Sequence, residues 1–198
     1  MPTALQGKAL LHRAIELIQG SSNIDRAVGQ LAGVLYPPFH VARVNVRMFL
    51  APTNEVIVVG TWCAHPSSIL PGIRMRASST SYLDVVLEHG VVAGPRDGMT
   101  ELTEDLMYKD VSSWVSTPIP GPYRPDGVLT VASSSNALKK EKAFFTDLGE
   151  AVGSRLALLG KASAIYVRAM RAGPVLVMRD GTSARAAHPA GRTHAPKI

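Results

Sequence analysis

Cysteine is almost missing from this chain: Cys63 is the only one among 198 residues. One thiol forms no disulfide within its own chain and cannot supply the several sulfurs of a cysteine zinc site. Long apolar runs are missing as well, and none approaches the ~18–20 uninterrupted residues of a membrane-spanning helix. The first twenty residues place His12, Arg13 and Glu16 inside their apolar pattern, unlike the continuous apolar stretch of a secretory signal. No Gly-rich phosphate loop, GxSxG elbow, HExxH or paired-carboxylate motif occurs. The six histidines show no HxxxH spacing, and no segment repeats. These absences lead us to expect a soluble, cytoplasmic protein that is not an enzyme, holds no metal and has no membrane partner.

What is present is enough for one domain with extensions, at 46% apolar residues over 198 positions. The formal charge of +6 hints at nucleic acid until it is located. Residues 161–198 hold seven Lys and Arg against a single acid, Asp180, which accounts for the whole surplus. The first 160 residues are neutral, so the basic balance says nothing about the ligand of the folded part. The tail has no aromatic interleaving, and nucleic acid is not expected as a partner of the domain itself.

Hydrophobic spacing lays out the elements. Leu10, Ala14, Leu17 and Ile18 predict a first helix that stops at Gly20. The capping box Ser22-Asn23-Ile24-Asp25 opens a second. Its stripe is Ile24, Ala27 or Val28, Leu31 and Leu35, and Pro37-Pro38 is expected to end it. The period then changes to two. Val44, Val46, Met48 and Leu50 point one way, and Arg43, Asn45, Arg47 and Phe49 the other. Pro52-Thr53-Asn54 turns into a second strand, Glu55 to Trp62, to give an antiparallel hairpin.

From Cys63 to Ser79 the pattern becomes a loop. A capping box at Ser81–Asp84 opens a short helix that ends at Gly90 in a left-handed conformation, before a short strand Val91-Val92-Ala93. Thr103 caps another short helix. Ser113–Ile119 and Gly127–Ser133 are two strands joined by a proline-rich turn, with a positive φ plausible at Gly127. One long helix is predicted over about Leu138–Arg171, its seam running Phe145, Leu148, Val152, Leu156, Leu159, Ser163, Tyr166 and Met170. The first half suits covering the domain's own sheet, and the second half suits pairing with another copy. Pro174–Met178 is strand-like, and the remainder to Ile198 reads as disordered.

The stretch Ser112-Ser113-Trp114-Val115-Ser116-Thr117-Pro118-Ile119, then a turn, then Asp126-Gly127-Val128-Leu129-Thr130-Val131-Ala132-Ser133, followed by Phe144-Phe145 and Leu148, carries a resemblance. In this order of elements it resembles a GAF domain, a PAS-related sensory module of bacterial signalling proteins. The resemblance covers residues 5–160. Residues 161–172 would then be a helix extension, a possible dimer or signalling helix. Residues 173–198 would be a basic tail or the start of a missing domain. It implies an α+β fold with a central antiparallel sheet of five or six strands. Terminal helices cover one face, and short helices and loops enclose a pocket on the other.

The resemblance also implies a small-molecule sensor of a signal-transduction or transcription regulator. Such a sensor relays binding through a dimeric terminal helix to an output domain. Expected pocket residues are Trp62, Cys63, His65, Arg74, Tyr82 and Trp114. Cys63 with His65 reads either as a redox- or metal-responsive pair or as a partly buried cysteine beside a solvated histidine. For each aromatic residue taken singly, ordinary core packing is the favoured reading. The family's methionine sulfoxide reductases work through a disulfide that a lone Cys63 cannot make. The bilin-attaching Cys-His dipeptide and the Asn-Lys-Phe-Asp-Glu pattern of cyclic-nucleotide binders are absent, so the cofactor stays unknown. The alternative is a structural dimerisation module whose pocket is filled by its own side chains.

Overall fold

A computed structural model describes residues 4–50, 53–65, 70–76, 86, 90–95 and 110–172. Helix α1 (Ala4–Gln19) buries Ala14 and Ile18, as the spacing predicts. Helix α2 (Ile24–Phe39) buries the expected stripe and adds Ala32 and Phe39. Two details differ from the sequence reading. The N-cap is Asn23, one residue later than Ser22, and its side chain accepts from the Arg26 amide. Pro37 and Pro38 lie inside the last turn rather than ending it. The helix runs on because Phe39 is anchored, with ring centroids 5.4 Å from Phe144 and 5.8 Å from Phe145. It then stops at His40, whose left-handed backbone (φ 49°) returns its amide to the Tyr36 carbonyl.

The sheet has six antiparallel strands: β1 (Val41–Leu50), β2 (Glu55–Cys63), β3 (Arg74–Arg76), β4 (Val92–Pro95), β5 (Ser113–Ile119) and β6 (Gly127–Ser133). Their order across the sheet is β3-β2-β1-β6-β5-β4. The three-residue β3 lies in the segment that the sequence reads as loop. The β1–β2 hairpin forms as predicted, with Asn54 left-handed at its turn (φ 51°) and an extra residue at Val59 where the register shifts. Gly90 also takes the expected left-handed conformation (φ 74°). Gly127 does not. Its small size is required because a Cβ there would run into the Arg47 carbonyl of β1.

One face of the sheet carries the main core. Val44, Val46, Met48 and Leu50 of β1 meet Leu129 and Val131 of β6 and the apolar faces of the helices. After a short 3₁₀ turn (Asn136–Lys140), α3 (Lys142–Ala162) lies against β5 and α1. Its buried side is Phe145, Leu148, Val152, Leu156 and Leu159, so the seam's first half covers the domain's own sheet.

The predicted single helix does not continue past Ala162. Ser163 takes an extended backbone (φ −66°, ψ 142°) and begins α4 (Ala164–Ala172). Its hydroxyl donates to the Gly160 carbonyl at 2.7 Å and accepts from the Tyr166 amide at 3.2 Å, which turns the chain and caps the new helix. Helix α4 then lies against β1 and β2, held by the Tyr166 hydroxyl on the Phe49 carbonyl at 3.2 Å. The short helices predicted after Ser81 and around Thr103, and the strand-like Pro174–Met178, lie outside the described residues.

Candidate site on the second face of the sheet

Strand β1 is central, with β2 on one side and β6 on the other. Residues that alternate with its apolar set therefore cannot reach the sheet's margins. They face away from the long helices. Arg43, Asn45 and Arg47 are all buried there, Arg47 completely. The neighbouring strands extend this polar row. Thr130 of β6 stands opposite Asn45, and Ser116 of β5 stands opposite Thr130. Thr61 of β2 pairs with Asn45 from the other side, and Cys63 with Arg43.

Short hydrogen bonds tie the row together. Thr61 donates to Asn45 Oδ1 at 2.6 Å, the Ser116 and Thr130 hydroxyls are 2.9 Å apart, and Arg47 Nη1 reaches Thr130 Oγ1 at 3.4 Å. The Cys63 sulfur lies 3.7 Å from the Thr61 hydroxyl. Around the row runs an apolar rim of Val56, Val58, Val86, Trp114, Val128 and Ala132. Buried polar groups cost free energy unless hydrogen-bonded, and buried charges cost more. This face therefore has a polar, cationic floor inside an apolar rim.

The residues expected from sequence are divided by the sheet. Cys63 and Trp114 lie on this second face. The Trp114 ring packs over Gly94, and its Nε1 donates to the Pro95 carbonyl at 2.8 Å. Trp62 shares the opposite face with Val44, its edge-to-face partner being Tyr36 of α2 at 6.2 Å between centroids. Arg74, opposite Ile57 on that same side, is ion-paired with Glu55. His65 is exposed beyond the end of β2, and Tyr82 lies outside the described residues. The sequence reading did not single out Arg43, Asn45 and Arg47, which the structure buries together on this face. Their one signal was the alternation, which puts two arginines and an asparagine on the same side of β1.

A concavity of about 710 Å³ opens between the β5–β6 turn and the first turns of α3, lined by Thr117, Pro118, Tyr123, Arg124, Lys142 and Glu150 among others. Most of its polar side chains are exposed. No residue expected from sequence lines it. Among the described residues, no group of three or more His, Cys, Asp or Glu comes together to hold a metal, and no helix is long and apolar enough to cross a membrane.

The six-stranded sheet with its helical layer is a GAF-like α+β fold. No family model and no curated protein matches the sequence itself. Among solved structures, the chain superposes on the chromophore-binding domain of an unusual bacteriophytochrome from R. palustris with a TM-score of 0.60 at 11% identity. That match covers 82% of this chain and 64% of the phytochrome domain, so the chain spans just under two thirds of it. The GAF domain of the Acinetobacter phosphoenolpyruvate-protein phosphotransferase gives 0.59 at 13% identity, over 80% of this chain and 96% of that one. Free methionine-R-sulfoxide reductase from Neisseria meningitidis, solved with its substrate, gives 0.60 at 15%, over 82% and 95%. At such identities the likeness is one of fold.

Proposed function

We propose that this chain is a small-molecule-sensing domain of a cytoplasmic bacterial signal-transduction or transcription regulator. It binds its ligand on the second face of the sheet and relays occupancy through the terminal helices of a homodimer to an output domain. The observation that carries this reading is the buried polar row Arg43, Asn45, Arg47, Thr130 and Ser116, set across the central strands under an apolar rim. Helices pack on the other face, so a ligand and the helical layer bias the same sheet from opposite sides. That is the geometry in which binding can shift a two-state packing. Cys63 and Trp114 belong to the site on this reading, and Trp62 and Arg74 to the core.

We read the site as binding rather than catalytic. Its one thiol has no second cysteine in the chain with which to cycle through a disulfide. The second reading, a ligand-free dimerisation module, draws support from Val86, which is fully buried against the rim. Native mass spectrometry of the purified protein, with a thermal-shift screen, separates the two. The sensor reading expects a co-purified small molecule or a ligand-dependent rise in Tm that is lost on replacing Arg47. A protein that carries nothing and responds to nothing is the structural module.

A further inference from the structure

We infer that the concavity between the β5–β6 turn and α3 is a binding site for a short acidic peptide of about three residues. It lies on the helical side of the sheet, so it stands or falls apart from the second face. Its floor is Thr117, which shares its side of β5 with Val115 and Ile119 of the main core. Gly149 of α3 comes down so close that a Cβ there would strike the Thr117 hydroxyl. Thr117 is only 2% exposed, yet that hydroxyl hydrogen-bonds to no described residue. A buried hydroxyl without a partner costs free energy, and a polar group entering the concavity removes that cost.

The walls carry both signs of charge. Lys142 and Glu150 stand on the α3 side, and Arg124 on the turn opposite. Among the described residues, none of these three charged groups has an ion-pair or hydrogen-bond partner. Asp126, at the end of the same turn, is already paired with Lys161 at 2.7 Å. The charged lining is thus two cations and one anion. A molecule with two carboxylates and one ammonium meets all three, whereas a simple anion sits beside Glu150 and a simple cation beside two like charges. Exposed pairs are weak singly, so selectivity comes from meeting them together with the Thr117 hydroxyl. Length follows from the span. At ~1.5 Å rise per residue, Lys142 and Glu150 lie ~12 Å apart along α3. Three extended residues cover ~10–11 Å, but a free amino acid carries its ammonium and α-carboxylate on one carbon. The Thr146 hydroxyl donates to the Lys142 carbonyl at 2.9 Å and keeps its lone pairs for a peptide amide. Val91, Pro122 and Tyr123 offer apolar surface to the side chains, and about 710 Å³ accommodates a ligand of this size.

The test is isothermal titration of the whole chain with the tripeptide Ala-Ala-Glu, its N-acetylated form and free glutamate. Ala-Ala-Glu is expected to bind saturably, with a Kd of about 1 mM or tighter. Arg124→Gln, Lys142→Gln and Glu150→Gln, all exposed, should each raise that Kd about threefold. N-acetylation should match the Glu150→Gln loss and add nothing to it in that variant, since both remove the same ion pair. Thr117→Val should also weaken binding about threefold while the ligand-free Tm holds or rises. A fall in that Tm with binding unchanged makes the hydroxyl structural and overturns the site. No saturable binding, or a Kd unmoved by the three exposed variants, overturns it too. Free glutamate that binds as tightly as the tripeptide overturns the peptide. None of these outcomes bears on the second face.

Discussion

Helix α3 packs so close to β5 and the residue after it that two of its positions admit no side chain, and a third could take one only by moving Met48. A Cβ on Gly149 would run into the Thr117 hydroxyl, and one on Gly153 into the ring of Pro120. One on Gly160 would sit 2.9 Å from Met48 Sδ. Gly149→Ala should therefore cost about 1–3 kcal/mol, the usual penalty for overpacking, seen as a lower urea midpoint. Gly33 offers the opposite case on α2. It is exposed, a Cβ there meets nothing within 4 Å, and alanine in a helix interior is worth roughly 0.5–1 kcal/mol over glycine. Gly33→Ala should raise the midpoint. Sequence does not separate these two glycines, because close approach belongs to the neighbour and not to the residue. Gly127 shows the same limit: its strand position was legible, but its reason is the Arg47 carbonyl and not backbone freedom. The polar row was half legible. The alternation was plain, but the burial of its arginines depends on β6, some eighty residues away, pairing with β1.

At the scale of elements, periodicity found α1, α2, β1, β2, β5, β6 and the first half of the last helix, since each has one clear buried side. It passed over the break at Ser163 because the apolar spacing runs on into α4 without a change of phase. What divides the helix is tertiary. Lys161 pairs with Asp126 at 2.7 Å, the Asp126 carbonyl accepts from the Phe49 amide at 2.9 Å, and the Phe49 carbonyl accepts from Tyr166 at 3.2 Å. These contacts pin α4 to the end of β1, where the Phe49 side chain packs against the apolar rim of the second face. Helix α4 is thus the element placed to feel a change on that face. Tyr166→Phe removes one hydrogen bond worth about 0.5–1.5 kcal/mol. Hydrogen exchange of the α4 amides should speed up roughly two- to tenfold, while the β6 amides keep their rates. Equal acceleration in both would mean that α4 is not a separable unit.

At the scale of the molecule, the helical layer is both the roof of the core and the surface left for a partner. Of the seven large apolar side chains that the described residues expose, five stand on helices of this layer: Leu5, Tyr36, Leu158, Val167 and Met170. Leu158 is 58% exposed on α3, directly before buried Leu159, and Met170 is 44% exposed on α4, directly after buried Ala169. Such residues gain from being covered, at about 25 cal/mol per Å² removed from water, and the sensory reading requires a second copy to receive the signal. Light scattering on the purified chain should give twice 21.1 kDa at micromolar concentration. Leu158→Asp combined with Val167→Asp should return the mass to that of one chain that still unfolds in one cooperative transition, because both side chains lie outside the core clusters. A wild-type protein that stays monomeric as concentration rises would take the dimer out of the relay. The second face could still be tested for binding, and any relay would then have to run through the helices of one chain, α4 among them.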